Sequence, residues 1–139
     1  MILTAAVDDG MGMLFNGRRQ SRDRVLRQRI LELAGDHTLW MNEYSYGLFR
    51  DECENARIRV DEDFLMKAGE GEVCFNETEP MLPVEERMEK LVLFRWNRMY
   101  PADVRFDLVL NSGVWRMESS EDFAGSSHER ITMEVYVRD

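Results

Sequence analysis

Short apolar runs alternate with amphipathic stretches along the first two thirds of the chain, a pattern that predicts strands alternating with helices. Residues 2–7 form the first apolar run, which stops at Asp8 and predicts a buried strand followed by a turn. Apolar residues at helical spacing then predict a helix that Ser21 caps and Gly35 ends, since a serine hydroxyl can accept from first-turn N–H groups. Residues 11–19, which contain two glycines, are predicted to form a mobile loop.

The later part of the chain is rich in predicted strands. The remaining predicted strands span 38–41, 57–60, 72–75, 91–96, 115–119 and 131–137, and 104–110 is predicted to be extended. Helices are predicted over 61–68 and 83–90, a short helix or turn over 44–49, and an exposed loop over 51–55. This order predicts one α/β domain over residues 1–139, with a mixed, mostly parallel central sheet flanked by helices and a C-terminal antiparallel hairpin. Alternating polar and apolar residues place 57–60 at the sheet edge.

Composition and charge exclude several classes of function. A chain of 139 residues is long enough to bury a core without disulfides or metals. Its net charge of −9 argues against a general nucleic-acid surface, which requires concentrated positive charge. No apolar segment approaches the roughly 18 residues that cross a membrane, so we expect no membrane partner and a cytoplasmic location.

Six arginines form a basic segment within this acidic chain. They are Arg18, Arg19, Arg22, Arg24, Arg27 and Arg29. The segment fits either a solvated helix face or an anion-binding lip, and the sequence leaves both interpretations open.

Motifs for metals and for covalent catalysis are absent from the sequence. Cys53 and Cys74 form no CxxC pair, and Cys74 is interpreted as a small core hydrophobe. His37 and His128 fall in predicted loops, where a solvated side chain is the expectation. No metal site is therefore predicted.

The two ends of the chain resemble the dihydrofolate reductase family. The segment from Ala6 through Asp8 to Met13 is similar to that family's first strand and the loop that follows it. Near the other end, Phe106, Trp115 and the run over 131–138 follow the family's order. The resemblance spans nearly the whole length and implies a dihydrofolate-reductase-like fold.

The same resemblance implies a role for Asp23. The family's helix after the first loop begins with an acidic residue that holds the pterin ring, and Asp23 matches it in order, which makes Asp23 the candidate catalytic residue. Helical spacing independently places Asp23 on the face of Leu26 and Ile30. The competing interpretation is a carboxylate bonded to backbone N–H groups or to Arg27 at the helix start.

The family's cofactor motifs are altered in this chain. Where the family has a Met-Gly-Arg-x-Thr-like motif, this sequence retains a methionine and a hydroxyl but replaces the arginine with Glu43; the stretch reads Met41, Asn42, Glu43, Tyr44 and Ser45. Where the family has two adjacent glycines, it has Asn76 and Glu77, whose side chains occupy space that glycine leaves open. Glu43, Glu77 and Glu79 would also repel phosphates. We therefore expect a degenerate cofactor site formed by Asn42, Glu43, Asn76 and Glu77, and no cofactor.

Three functional hypotheses follow. The first is a protein without standard NADPH-dependent reductase activity, whose cleft binds a small heteroaromatic or anionic ligand; the candidate ligand-binding residues are Met13, Arg18, Arg19, Asp23, Met41 and Ser45. The second is a divergent NAD(P)H-dependent reductase of a pterin or folate-like substrate, in which NADPH is the cofactor and Asp23 assists protonation. The third is a non-catalytic interaction protein whose own side chains fill the cleft. A symmetric contact through the edge strand 57–60 would then join two copies, so a homo-oligomer is one of the expected states.

Overall fold

The computed structural model describes residues 1–51 and 57–139. Most of the loop predicted over 51–55, including Cys53, lies outside the described residues. The described strands are β1 Ile2–Val7, β2 Gly12–Phe15, β3 Arg18–Arg19, β4 Leu39–Met41, β5 Ile58–Val60, β6 Val73–Phe75, β7 Lys90–Arg95, β8 Val104–Arg105, β9 Trp115–Phe123 and β10 Ile131–Arg138. The helices are α1 Arg24–Ala34, α2 Glu43–Phe49, α3 Phe64–Lys67 and a 3₁₀ helix over Leu82–Arg87.

The main sheet has seven strands in the order β5-β4-β6-β1-β7-β10-β9. The five strands from β5 to β7 run parallel, whereas β10 pairs antiparallel with both β7 and β9. This arrangement confirms the predicted mixed, mostly parallel sheet with a C-terminal antiparallel hairpin. The strand predicted over 57–60 is β5, and it lies at the sheet edge as expected.

Apolar side chains cover both faces of the sheet. Alternate residues of β1 divide between the two cores: Leu3 and Ala5 belong to one cluster, while Ile2 and Ala6 pack against the other. Helix α1 covers the second face by burying its apolar stripe of Leu26, Ile30 and Ala34. A central strand buried on both sides explains why residues 2–7 form a continuous apolar run.

The loop predicted over 11–19 is instead a hairpin. Strands β2 and β3 pair antiparallel, with Leu14 opposite Arg19, and β8 completes a small three-stranded sheet. Asn16 and Gly17 form the turn with φ angles of 52° and 71°. An Asn-Gly pair favours such a two-residue turn, because both residues tolerate a positive φ. That local signal was present in the sequence.

Helix α1 begins differently from the prediction. Asp23, not Ser21, is the N-cap, and its carboxylate accepts hydrogen bonds from the backbone N–H groups of Val25 and Leu26. The predicted C-terminal stop is confirmed: Gly35 has φ 55°, and its N–H donates to the carbonyl of Leu31.

Two later elements also differ from their predicted bounds. The helix predicted over 83–90 ends at Arg87, and Lys90 already belongs to β7. The extended stretch predicted over 104–110 contains only the two-residue strand Val104–Arg105.

Candidate functional site

The carboxyl ends of three adjacent parallel strands bring polar residues together. Asp8 follows β1, Asn42 follows β4, and Asn76 and Glu77 follow β6. This edge of a parallel sheet is where ligands commonly bind in open α/β folds. Asp8 accepts from Gly10 N, Gly12 N, Tyr100 N and the Gln20 amide, so it fixes the entry to the β2–β3 hairpin.

Glu77 is buried at this edge within an ion pair. It is 8% exposed, and Arg19 donates to it twice, from Nε to Oε2 at 2.9 Å and from Nη2 to Oε1 at 3.1 Å. The Ser45 hydroxyl donates to the same Oε1 at 2.8 Å. Burial alone would lower the pKa of Arg19, but the hydrogen bond and charge of Glu77 raise it. The three residues form a closed latch, which we define as Arg19, Ser45 and Glu77.

Tyr44 supports the latch from the start of α2. The guanidinium carbon of Arg19 lies 4.3 Å from the centre of the Tyr44 ring, and Arg19 Nη2 donates to the Tyr44 carbonyl at 3.2 Å. The Arg19 backbone N–H donates to the Tyr44 hydroxyl at 2.8 Å. Arg19 is therefore held in place by the Glu77 carboxylate, by the Tyr44 ring and by backbone hydrogen bonds.

The two asparagines at this edge are bonded to neighbouring protein groups. Asn76 Oδ1 accepts from the backbone N–H groups of Thr78 and Glu79, and its Nδ2 donates to the Glu79 carbonyl at 2.8 Å. Asn42 caps α2 by accepting from Ser45 N and donates to the Thr78 hydroxyl at 2.9 Å. Both side chains organise the protein's own backbone.

Asp23 is enclosed at the start of α1. It is 2% exposed, and the segment 125–128 folds over it, with Ser126 N donating to Oδ1 at 3.0 Å and Ser127 N to Oδ2 at 2.8 Å. Burial alone would raise the pKa of Asp23, but these donors, Leu26 N and His128 lower it well below its usual range. The structure thus contains the backbone bonding that the sequence offered as one interpretation of this carboxylate.

His128 is a site residue that sequence analysis assigned to a solvated loop. It is 6% exposed, and its ring stacks on Trp96 with centroids 4.5 Å apart. Its Nδ1 lies 3.3 Å from Asp23 Oδ2, and its Nε2 lies 3.1 Å from Ser21 Oγ and 3.2 Å from Tyr100 Oη. No local pattern signals this cluster, because 105 residues separate His128 from Asp23.

Two pockets share Arg18 and Arg19 in their walls. One, of about 500 Å³, is lined by Arg18, Arg19, Ser21, Arg22 and Tyr44. The other, of about 470 Å³, extends along Phe15, Gln20, Tyr100 and Pro101. We call the first one the arginine pocket.

The six predicted ligand-binding residues do not all meet. Arg18 and Arg19 line both pockets, whereas Ser45 faces Glu77, and Asp23 borders a third pocket of about 360 Å³ together with Ser126 and Ser127. Met13 and Met41 are buried in the two cores and line none of these three pockets. Glu43 is exposed, and its backbone N–H donates to the Glu62 carboxylate.

Within residues 1–51 and 57–139, no three acidic, histidine or cysteine side chains are close enough to share a metal ion. In the same part of the chain, every helix is too short or too polar to cross a bilayer.

Comparisons with known proteins identify the architecture. No protein-family model matches the sequence, and no curated protein matches it. Among solved structures, the chain is similar to a dihydrofolate reductase from Enterococcus faecalis, described as complexed with NADP(H) and RAB-propyl. The similarity covers 99% of this chain and 95% of that one, with a TM-score of 0.69 and 12% sequence identity. The chain therefore has a dihydrofolate-reductase-like fold, as its two ends predicted.

Proposed function

We propose that this protein binds a small anionic, aromatic ligand in the arginine pocket and does not catalyse standard NADPH-dependent reduction. The latch of Arg19, Ser45 and Glu77 argues against the reductase activity, and the lining of the arginine pocket argues for the ligand. The similar reductase is described as a complex with NADP(H), so the fold itself can hold a dinucleotide. In this chain, a buried glutamate at that edge is already bonded to Arg19.

Electrostatics disfavour a dinucleotide at this edge. A pyrophosphate would have to displace Glu77 from Arg19, which exchanges one bidentate charge-assisted pair for another and leaves a buried carboxylate without its partner. Glu79 lies two residues after Glu77 in the sequence. The Glu43 N–H at the start of α2 already donates to the Glu62 carboxylate. A phosphate at this edge would need N–H donors such as those at the start of α2, and the nearby carboxylates repel it there.

The arginine pocket has the opposite character. Arg18 and Arg22 line it, and within the part of the chain that the structure describes, neither guanidinium forms an ion pair. Tyr44 adds a partly exposed aromatic ring to the same wall. Two guanidinium groups beside an aromatic ring suit a ligand that combines a flat ring with a carboxylate or phosphate.

The reductase hypothesis is tested by absorbance at 340 nm with dihydrofolate and either NADPH or NADH. We expect a flat trace with both coenzymes and no rise in melting temperature when either is added. NADPH consumption that depends on dihydrofolate would contradict the proposal and support the divergent reductase.

Ligand binding is tested with phenyl phosphate and benzoate by calorimetry at low and high salt. We expect salt-sensitive binding that is lost in Arg18→Ala and Arg22→Ala but retained in Arg116→Ala, which removes an exposed arginine on β9. Equal binding by all four proteins would contradict a specific arginine pocket.

A second candidate function is that of a non-catalytic interaction protein. It is favoured by Asn76 and Glu77, whose side chains fill the sheet edge with internal bonds. Native mass spectrometry of the purified protein separates the two candidates, since a retained small molecule supports the first and a stable dimer without one supports the second.

A further inference from the structure

Three side chains form a hydrogen-bonded series, and one of them, Ser21, lines the arginine pocket. Ser21 Oγ lies 3.1 Å from His128 Nε2, and His128 Nδ1 lies 3.3 Å from Asp23 Oδ2. The residues come from two parts of the fold: Ser21 and Asp23 lie together at the start of α1, and His128 precedes β10. Hydroxyl, imidazole and carboxylate thus stand in the order that activates a serine nucleophile.

The imidazole is held in the orientation that this chemistry requires. The Ser127 hydroxyl oxygen and the Asp23 carboxylate lie 3.2 Å and 3.3 Å from Nδ1, and both can accept a hydrogen bond from it. They therefore favour the tautomer that carries its proton on Nδ1, which leaves the Nε2 lone pair for the Ser21 hydroxyl. Trp96 stacks on the ring and fixes its plane. Tyr100 Oη lies 3.2 Å from the same Nε2, so two hydroxyls converge on one acceptor.

Burial separates the three roles. Asp23 and His128 are buried, whereas Ser21 is partly exposed and lines the arginine pocket beside Arg18 and Arg22. Neither Asp23 nor His128 lines that pocket. The two guanidinium groups line the same pocket as Ser21, and groups of this kind can stabilise negative charge that develops on a carbonyl oxygen.

We propose that Ser21 is the nucleophile of an acyl-transfer site that hydrolyses small aryl esters, with His128 as general base and acid and Asp23 as the positioning carboxylate. Ser21 Oγ attacks the ester carbonyl while its proton passes to His128 Nε2. The carbonyl–aryloxy bond then breaks, and the leaving oxygen takes that proton. Water, deprotonated by the same nitrogen, attacks the acyl-serine, which releases the carboxylic acid and restores the Ser21 hydroxyl.

The preference for anionic esters rests on the proposed function of the arginine pocket, whereas the nucleophile does not. The two are therefore tested with different probes. A neutral fluorophosphonate reports Ser21 reactivity alone. Turnover of 4-acetoxybenzoate compared with its neutral methyl ester reports the anion preference.

The principal experiment is fluorophosphonate labelling of the full chain, followed by intact mass and peptide mapping. We expect a single adduct on Ser21. Ser21→Ala should remove it while Tyr100 still contacts His128, and His128→Gln should slow labelling roughly 100-fold or more. The matched control is Ser119→Ala, at an exposed position on β9, which should label like the natural protein.

The role of Asp23 is read from kinetics. Asp23→Asn should lower the rate constant of Ser21 labelling, whereas a loss of folded protein alone would lower only its amplitude. The proposal is overturned if folded protein gives no Ser21 adduct, if the adduct maps to Tyr100, or if Ser21→Ala hydrolyses 4-nitrophenyl acetate as fast as the natural protein. A reactive Ser21 without preference for 4-acetoxybenzoate would refute anion binding in the arginine pocket but would still support Ser21 as the nucleophile.

Discussion

Arg19 and Glu77 are joined by two parallel hydrogen bonds although 58 residues separate them in the sequence. The pair connects the β2–β3 hairpin to the end of β6, and Ser45 of α2 completes it. Three structural elements therefore meet at one carboxylate. The contact both closes the sheet edge and holds the hairpin in place.

Replacing Glu77 with glutamine tests the contribution of this contact to stability. The amide keeps the shape but presents an N–H₂ group to a guanidinium donor, so we expect Glu77→Gln to lower the free energy of unfolding by about 1–3 kcal/mol. Urea unfolding followed by tryptophan fluorescence measures the change. Glu118→Gln, at an exposed position on β9, is the control and should stay within about 0.5 kcal/mol. Equal stability of the two variants would contradict a structural role for the latch.

Asp23 makes stability depend on acid pH. Its folded-state pKa lies below the ordinary value of 3.8, so the carboxylate stabilises the fold above that value, and this contribution declines as pH falls below it. We expect Asp23→Asn to cost about 1–3 kcal/mol at neutral pH, because donors from 125–128 lose a charged acceptor. The gap between the two proteins should narrow towards about pH 3 in urea titrations. A gap that is independent of pH would contradict the depressed pKa.

Gly125 permits the close approach that covers Asp23. A Cβ at this position would lie 2.4 Å from Asp23 Oδ2 and 2.9 Å from Ile131 Cδ1. We expect Gly125→Ala to lower the melting temperature, at a cost of about 1–3 kcal/mol, because the segment must move away from the carboxylate.

Gly47→Ala is the matched control for that substitution. Its Cβ would meet nothing within 4 Å, and it lies inside α2, where alanine is favoured over glycine by about 0.5–1 kcal/mol. Calorimetric melting should therefore move in opposite directions for the two variants. A Gly125→Ala protein as stable as the natural one would show that 125–128 does not pack tightly on Asp23.

Cys74 should be unreactive in the folded protein. The side chain is 0% exposed in β6, and burial raises the pKa of its thiol to about 12, so almost no thiolate forms near neutral pH. We expect iodoacetamide to leave Cys74 unmodified in buffer and to alkylate it fully in urea. Peptide mapping reports Cys74 separately from Cys53, and rapid alkylation in buffer would contradict its burial.

Periodicity alone predicted most of the architecture. The apolar run over 2–7 indicated a strand buried on both faces, and the alternating segment 57–60 indicated an edge strand. The two patterns differ because a strand covered on both faces is apolar throughout, whereas a strand with a solvated face alternates apolar with polar residues. The hairpin over 12–19 was missed, although the Asn16-Gly17 pair that forms its turn is a local signal.

The polar partnerships were beyond the sequence. The sequence shows directly that Asn76 and Glu77 stand where the resembled family has small residues. It does not show which groups they form hydrogen bonds and ion pairs with. Arg19 meets Glu77 only because the hairpin folds over the end of β6, and His128 meets Asp23 only because the C-terminal hairpin returns to the start of α1. Hydrophobic burial is non-directional and imprints a repeating pattern on the chain, so the sequence determined the layers of this protein. Hydrogen bonds and ion pairs act over about 3 Å between distant residues, so only the tertiary structure decided what occupies its cleft.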